Sequence, residues 1–514
     1  MSSVAMSCTL AKNPLIDQVK SRPMKLMQRI FAFIIFGLLF SACSPAMQPT
    51  MILPTSAMEE DAEQFLEITP YPTRPAYAPG EWVEYLAQAG DTLPALAARF
   101  NTTIEEIKNA NANIPQDVTT MPPGMPMQIP IYYRALWGTP FQILPDAAFV
   151  NGPDASGFDA QGLIDQQGGW VSSYRAWAFD GNRTVAEIVD HVAINYSISP
   201  KFLLALLEYQ GGCFSRSVLD PLDEVNILGL DSDYWRGVYL QLSYASNILN
   251  DGYYRWREGD LLEFDLADGT LIRPDPWQNA ATVALQYFFS QTLSPEAFHY
   301  AIGPDGFSKT YQTYFGDPWT ISAHLPGSLS QPEMQLPYEI KNNSKWAYTG
   351  GPHTAWGSLA PWAALDFAPP TGMTGCFISS VPTTAVADGL VVRDGEGLLL
   401  LDLDGDGDER TGWVILYLHI SDEGRVPVGT QVSTGDFLGY PSCEGGNATG
   451  THIHIARKYN GEWMSADSVV PFVLSGWRPI RGDEPYAGYL EKQDWMIVAN
   501  TNPDNLSIIP TDEE

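Results

Sequence analysis

Hydrophobic and polar positions change period several times along the chain, and each change marks an element. Alternation over residues 85–88 reads as a short strand, Gly90 and Asp91 form a turn, and Leu93, Leu96, Ala97 and Phe100 recur at helical spacing. Thr103 with Glu106 makes a capping box for a second short helix through Ile107, and residues 127–130 supply a returning strand. Helical spacing dominates residues 135–325. There Ser199 precedes Pro200, whose missing N–H costs nothing at the first helical position, and an apolar run ends at Glu208 before Gly211 and Gly212. Residues 239–249 and 279–289 read as further buried helices. From 336 to 476 the pattern shortens to β strands, at 390–393, 397–402, 413–420 and 451–457.

Strand alternation places histidines. Over 413–420, Val414, Leu416, Leu418 and Ile420 share one face, which leaves Trp413, Ile415, Tyr417 and His419 on the other. In the segment 451–455, Ile453 and Ile455 point one way and His452 and His454 the opposite way, about 7 Å apart. Two imidazoles on one face suggest a ligand and its helper.

Charge narrows the partners. Against 28 Lys+Arg stand 60 Asp+Glu, a net charge of −32 that repels a phosphate backbone and disfavours nucleic acid. Hydrophobic residues at 45% and charged residues at 17% exclude wholesale disorder. Five cysteines are too few for a disulfide-built scaffold. The basic stretch 1–29 precedes an apolar run, 30–40, shorter than the roughly twenty residues that span a bilayer, so residues 1–42 have a signal-peptide profile. A start at Met24 would leave a conventional signal. The run closes on Phe40-Ser41-Ala42-Cys43, which resembles the bacterial lipobox; that resemblance implies export, lipidation at Cys43 and anchorage in the outer leaflet of the bilayer, facing the cell wall. Residues 43–80, rich in Pro and Thr, read as a flexible tether.

The first block, 81–131, resembles the LysM domain, a β-α-α-β carbohydrate-binding module, at Tyr85, Gly90, Asp91, Thr92, Leu93, Phe100, Thr103, Ile107, Asn111, Gly124, Ile129 and Pro130. The resemblance implies that Gly90, Asp91, Thr92 and Leu93, with the loop after Asn111, hold N-acetyl groups of peptidoglycan. The block 135–325 resembles the helical lysozyme-like fold of lytic transglycosylases, in which an acid closes an early helix. Glu208 would be that acid, giving a second catalytic activity, or else a helix-end carboxylate in a domain without one.

In the block 336–476, Gly450-Thr451-His452-Ile453-His454 is preceded by Tyr417-Leu418-His419, by Gly351-Pro352-His353 and by Leu365-Asp366-Phe367. This set resembles the lysostaphin-type, or LytM-type, zinc metallopeptidases that cut peptidoglycan cross-links. The resemblance implies Zn2+ held by His353, Asp366 and His454, with His419 and His452 as catalytic histidines beside it, their two roles interchangeable at this stage. His353 lies thirteen positions before Asp366, longer than the family's usual spacing, so a loop over 354–363 has to fold back.

Two further features stand beside this site. Asp402, Asp404 and Asp406 space carboxylates like the first half of a calcium loop, or form an acidic hairpin tip. Cys376 and Cys443 lie in the same exported block and are candidates for a disulfide, with Cys213 left over. The tail 477–514 carries no assigned chemistry. Together these readings give a multidomain α+β protein: a small LysM domain, a helical middle domain and an antiparallel β-rich zinc peptidase domain. The expected activity is hydrolysis of amides in peptidoglycan stems or cross-links; the alternative is a non-catalytic wall-binding or amidase-activating lipoprotein.

Overall fold

The structure, a computed structural model, describes residues 74–134, 137–339 and 345–510. The expectations for the signal segment, for lipidation at Cys43 and for the tether up to residue 73 lie outside the described residues. Among the described residues no helix is long and apolar enough to cross a membrane.

Strands β1 (Glu81–Leu86) and β2 (Pro126–Ile131) pair antiparallel with Val83 opposite Ile129, and flank helices α1 (Leu93–Arg99) and α2 (Ile104–Ala110). The capping box opens α2: Glu106 N donates to Thr103 Oγ1 and Thr103 N to Glu106 Oε2, both at 3.1 Å, which satisfies donors that a helix start leaves unpaired. Tyr85, Leu96, Phe100, Ile107 and Ile129 fill the core of this module.

The middle region is helical. Its main elements are α3 (Val185–Tyr196), α4 (Pro200–Gly211), α5 (Gly237–Glu258), α6 (Ala280–Thr292) and α7 (Phe307–Phe315). Helix α4 stops where Gly212 takes φ +64°, a left-handed conformation that costs a glycine little.

An antiparallel sheet follows. Its strands are β3 (Ala347–His353), β4 (Ala364–Ala368), β5 (Gly389–Gly395), β6 (Leu398–Asp402), β7 (Trp413–Leu418), β8 (Gln431–Val432), β9 (Ile453–Tyr459) and β10 (Glu462–Trp463). The order is β8-β5-β6-β7-β9-β4-β3, with β10 paired to β9. Leu398, Leu400, Val414, Leu416 and Ala456 on one face enter the core of the helical region, and Leu399, Leu401, Ile415, Tyr417, Ile453 and Ile455 on the other form a second core. The helical and β regions, read from the sequence as separate blocks, therefore share one core. The alternation expected over 413–420 holds through Leu418 and then breaks. His419 has φ +64°, which ends the strand and sends Ile420 into the second core beside Ile415 and Tyr417. In the tail, β11 (Arg478–Arg481), β12 (Gly488–Lys492) and β13 (Trp495–Val498) make a three-stranded sheet, and Gly351 N donates to Tyr486 O at 2.8 Å where the tail meets β3.

A buried ionic hub joins the three regions. Arg257, on α5, reaches Asp146 Oδ2 at 3.0 Å and both oxygens of Glu462 on β10 at 3.1 Å, and it donates to Tyr253 Oη at 3.0 Å and to Ala89 O in the turn after β1. His324 lies 2.6 Å from Glu462 Oε2, and Tyr253 Oη donates to the same oxygen at 2.7 Å. Burial alone would raise the Glu462 carboxyl, but the Arg257 charge and these hydrogen bonds outweigh it and hold it at about 2. The folded value is below that of an unfolded glutamate, about 4.3. The stability this creates is present above about pH 4.3 and is lost as pH falls towards 2. Thermal melts should therefore show a steep drop in Tm across that window, and a shallower one in Glu462→Gln. Superimposable acid profiles would contradict this account.

Candidate active site

Three adjacent strands bring the expected metal ligands together. His454 on β9 lies opposite Asp366 on β4, and His353 ends β3 opposite Ala364. Register shifts in β3 on either side of Gly350 carry His353 inward. A Cβ at Gly350 would sit 2.4 Å from Asp366 Oδ2, so the glycine leaves room for the carboxylate. The loop over 354–363 folds back, with Ala355 N donating to Pro361 O at 3.2 Å, and the long spacing between His353 and Asp366 is thereby closed.

His353 Nε2 lies 3.0 Å from His454 Nδ1 and 3.3 Å from Asp366 Oδ1, and His454 Nδ1 lies 3.2 Å from the same oxygen. Tetrahedral zinc with bonds near 2.0–2.1 Å needs donors roughly 3.3 Å apart. The three donors fit that requirement. Asp366 Oδ1 is buried and has no hydrogen-bond partner of good geometry among the described residues. A buried carboxylate oxygen left this way is costly unless a cation completes it.

Backbone carbonyls set the tautomers. His353 Nδ1 faces Gly351 O at 2.8 Å, His452 Nδ1 faces Gly450 O at 2.8 Å, His419 Nδ1 faces Glu444 O at 2.9 Å and His454 Nε2 faces Ala355 O at 3.1 Å. A carbonyl only accepts, so each of these nitrogens carries hydrogen and the other ring nitrogen presents a lone pair to the site. His452 Nε2 stands 3.7 Å from Asp366 Oδ1, and the rings of His419 and His452 are 4.5 Å apart. The His353 side chain is 1% exposed and that of His452 17%, so the opening to solvent lies at His452. Burial, with the neighbouring His452 and His454, lowers His419 to about 3 and keeps it neutral. Burial also lowers His454. Asp366, which burial alone would raise, is held well below the usual carboxylate range by His353 and His452 whenever those rings carry positive charge.

Supporting contacts come from distant segments. Cys376 and Cys443 are bridged. Beside the bridge, Ser442 N donates to His419 O at 2.6 Å and Thr451 N to Gly375 O at 3.0 Å. Tyr486, from the tail, stacks on His353 with ring centroids 4.0 Å apart, a contact that sequence reading missed. Its aromatic character was the only available signal.

Other expected site residues lie elsewhere. The turn Gly90, Asp91, Thr92 and Leu93, expected to hold sugar, is largely covered, with Thr92 half-buried. Asp91 is 1% exposed; its carboxylate pairs with Arg99 at 2.9 Å and accepts from Tyr85 Oη at 2.5 Å and Gln88 N at 2.7 Å. A Cβ at Gly90 would meet the Arg257 guanidinium at 2.6 Å and Leu325 at 2.8 Å. The turn is filled from within the chain. Asn111 is likewise committed, its amide bonded to Ile107 O and to Gln128 O and N at 2.6–2.8 Å. Glu208 closes a turn: Oε2 accepts from Phe214 N at 2.7 Å and Oε1 from Tyr314 Oη at 3.1 Å. Cys213 is a buried free thiol. Oxygens of Asp402, Asp404 and Asp406 approach within 4.8 Å, but Asp402 accepts from Gly407 N at 2.9 Å and Asp406 from Asp408 N at 2.8 Å, as in a hairpin tip.

A carboxylate and two imidazoles on an antiparallel sheet, flanked by two further histidines, make a donor set that suits a single divalent cation with a position left open. Residues 85–130 match the LysM domain and residues 142–329 match the N-terminal domain of LasA. Protease LasA of Pseudomonas aeruginosa strain UCBPP-PA14 is 26% identical over 345 residues, covering 63% of this chain and 75% of that protein. Among solved structures, the M23 metalloprotease pseudoalterin from the deep sea is 24% identical, covering 33% of this chain and 96% of that one, with a TM-score of 0.28. The catalytic domain of lysostaphin from Staphylococcus simulans is 24% identical over 24% of this chain and 90% of that one, with a TM-score of 0.18. The chain is thus similar to a LysM domain over residues 85–130 and to Protease LasA over 63% of its length. The helical region matches the LasA N-terminal domain, and a lysozyme-like fold finds no support there.

Proposed function

We propose that this protein is a zinc-dependent endopeptidase that hydrolyses amide bonds in the peptide stems or cross-links of peptidoglycan, exported to the cell envelope and tethered there through Cys43. The observation that carries the reading is the buried Asp366 Oδ1, ringed by imidazole nitrogens and otherwise unpartnered. His353, Asp366 and His454 would hold the metal. When bound there, zinc supplies Lewis acidity towards a carbonyl and lowers the pKa of water towards about 7.

The chain's own residues do the rest. His419 and His452 each turn Nε2 inward because a carbonyl holds Nδ1–H. An unprotonated Nε2 accepts a proton from the attacking water, and the resulting N–H can pass it to the leaving amine. Burial holds His419 neutral and weakens it as a base, while the exposure of His452 puts it where substrate arrives. Glu208 enters this reading as a turn clasp and the Asp402 cluster as a hairpin tip, so neither glycan cleavage nor calcium is needed. With Gly90 and Asp91 covered, any grip of the first module on glycan strands falls to its outer face.

The test is incubation of purified cross-linked peptidoglycan with the zinc-replete protein, with and without a chelator, followed by chromatography. Chelator-sensitive release of peptides bearing new amino termini is expected. Absence of any new product would leave the non-catalytic wall-binding reading.

A further inference from the structure

The loop between His353 and Asp366 is held by the helical region. Ala355 is buried in the helical core, and Trp356 packs against it. Asn247 on α5 is buried, and its Oδ1 accepts from Ser358 N at 2.8 Å and Ser358 Oγ at 3.2 Å while its Nδ2 donates to Ser243 O at 2.9 Å. A Cβ at Gly357, where φ is +87°, would meet Asn247 Oδ1 at 2.3 Å and Tyr196 Cε1 at 3.0 Å, so loop and helix fit only with glycine there. Three residues before Ser358, Ala355 O faces His454 Nε2 at 3.1 Å.

We infer that Asn247 is a positioning residue for the metal centre, acting from the helical region through the 355–358 loop on the tautomer and orientation of His454. With Ser358 pinned, Ala355 O stays where it takes the Nε2 hydrogen, and His454 Nδ1 is left as a lone pair beside His353 Nε2 and Asp366 Oδ1. Release of Ser358 frees the carbonyl, and the ring gains both rotation and the wrong tautomer. The inference rests on the zinc reading of the site but not on the bond that is cut.

The test uses the full chain. Asn247→Ala should weaken zinc binding about tenfold in a chelator competition, at the low end of what losing an outer partner of a ligand costs. It should also alter the visible absorption of the cobalt-substituted protein. Asn247→Asp keeps an acceptor for Ser358 and should restore most of both. Gly357→Ala, on the exposed loop, disturbs the same contact from the loop side and should reproduce the loss if Asn247→Ala fails to fold. Wild-type zinc affinity and an unchanged cobalt spectrum in folded Asn247→Ala, or in Gly357→Ala, would overturn the inference. Metal titration is read separately from peptide release, so a protein that binds zinc yet cuts nothing would overturn the peptidase reading alone.

Discussion

Asp366→Asn should leave a folded protein that retains no zinc and releases no peptide from peptidoglycan. The substitution keeps the shape of the side chain but removes the negative charge on which His353 Nε2, His454 Nδ1 and His452 Nε2 converge at 3.2 to 3.7 Å. An amide oxygen is a far weaker partner for a divalent cation, and the amide N–H2 would point at lone pairs that the carbonyls of Gly351 and Ala355 hold inward. Loss of an outer partner of a ligand costs about 10–100-fold in affinity, and loss of the ligand itself should exceed that. Inductively coupled plasma measurement on metal-replete protein, paired with product chromatography, reads both effects. Stoichiometric zinc in the variant would remove Asp366 from the site.

The second large effect is structural. Arg257→Met should destabilise the protein by about 3–5 kcal/mol, the cost of removing one partner from a buried ion cluster. Methionine fills much of the space but leaves Asp146 and Glu462 facing one another, each buried. Asp146 keeps Asn279 Nδ2 at 2.7 Å and Ala281 N at 2.8 Å, and Glu462 keeps Tyr253 and His324, so the cluster is weakened and not emptied. The loss of the bond to Ala89 O should also loosen the first module. Denaturant unfolding followed by tryptophan fluorescence tests this, and a change under about 1 kcal/mol would mean that the hub contributes little.

The parts of this molecule that could be read from the sequence are those set by neighbours along the chain. The capping box at Thr103 and Glu106, the Pro200 helix and the shared face of His452 and His454 follow from local spacing. What escaped reading depends on partners far away in sequence. Asp91 looks like a turn residue until Arg99 and, from the middle of the chain, Arg257 close over its turn. His419 departs from strand alternation because its backbone turns left-handed, which no period announces. Tyr486 reaches His353 from a tail that carries no motif. One signal was present and unused: Leu398, Leu399, Leu400 and Leu401 are consecutive and all buried, the mark of a strand covered on both faces. That run already implied that something packs on the second face of the sheet.

The tightness of the contact at Gly90 bears on how such a protein can evolve. A sugar-binding module is commonly imagined as a cassette, transplanted between proteins by recombination. Here the turn after β1 is shaped to one guanidinium, and Gly259 at the end of α5 is shaped to Ala95 and Ala98 of α1, where a Cβ would come within 3.0–3.1 Å. A graft of this module onto another host would carry a dent with nothing to fill it, and its removal would strip solvent cover from Arg257. The two surfaces are cut to fit one another.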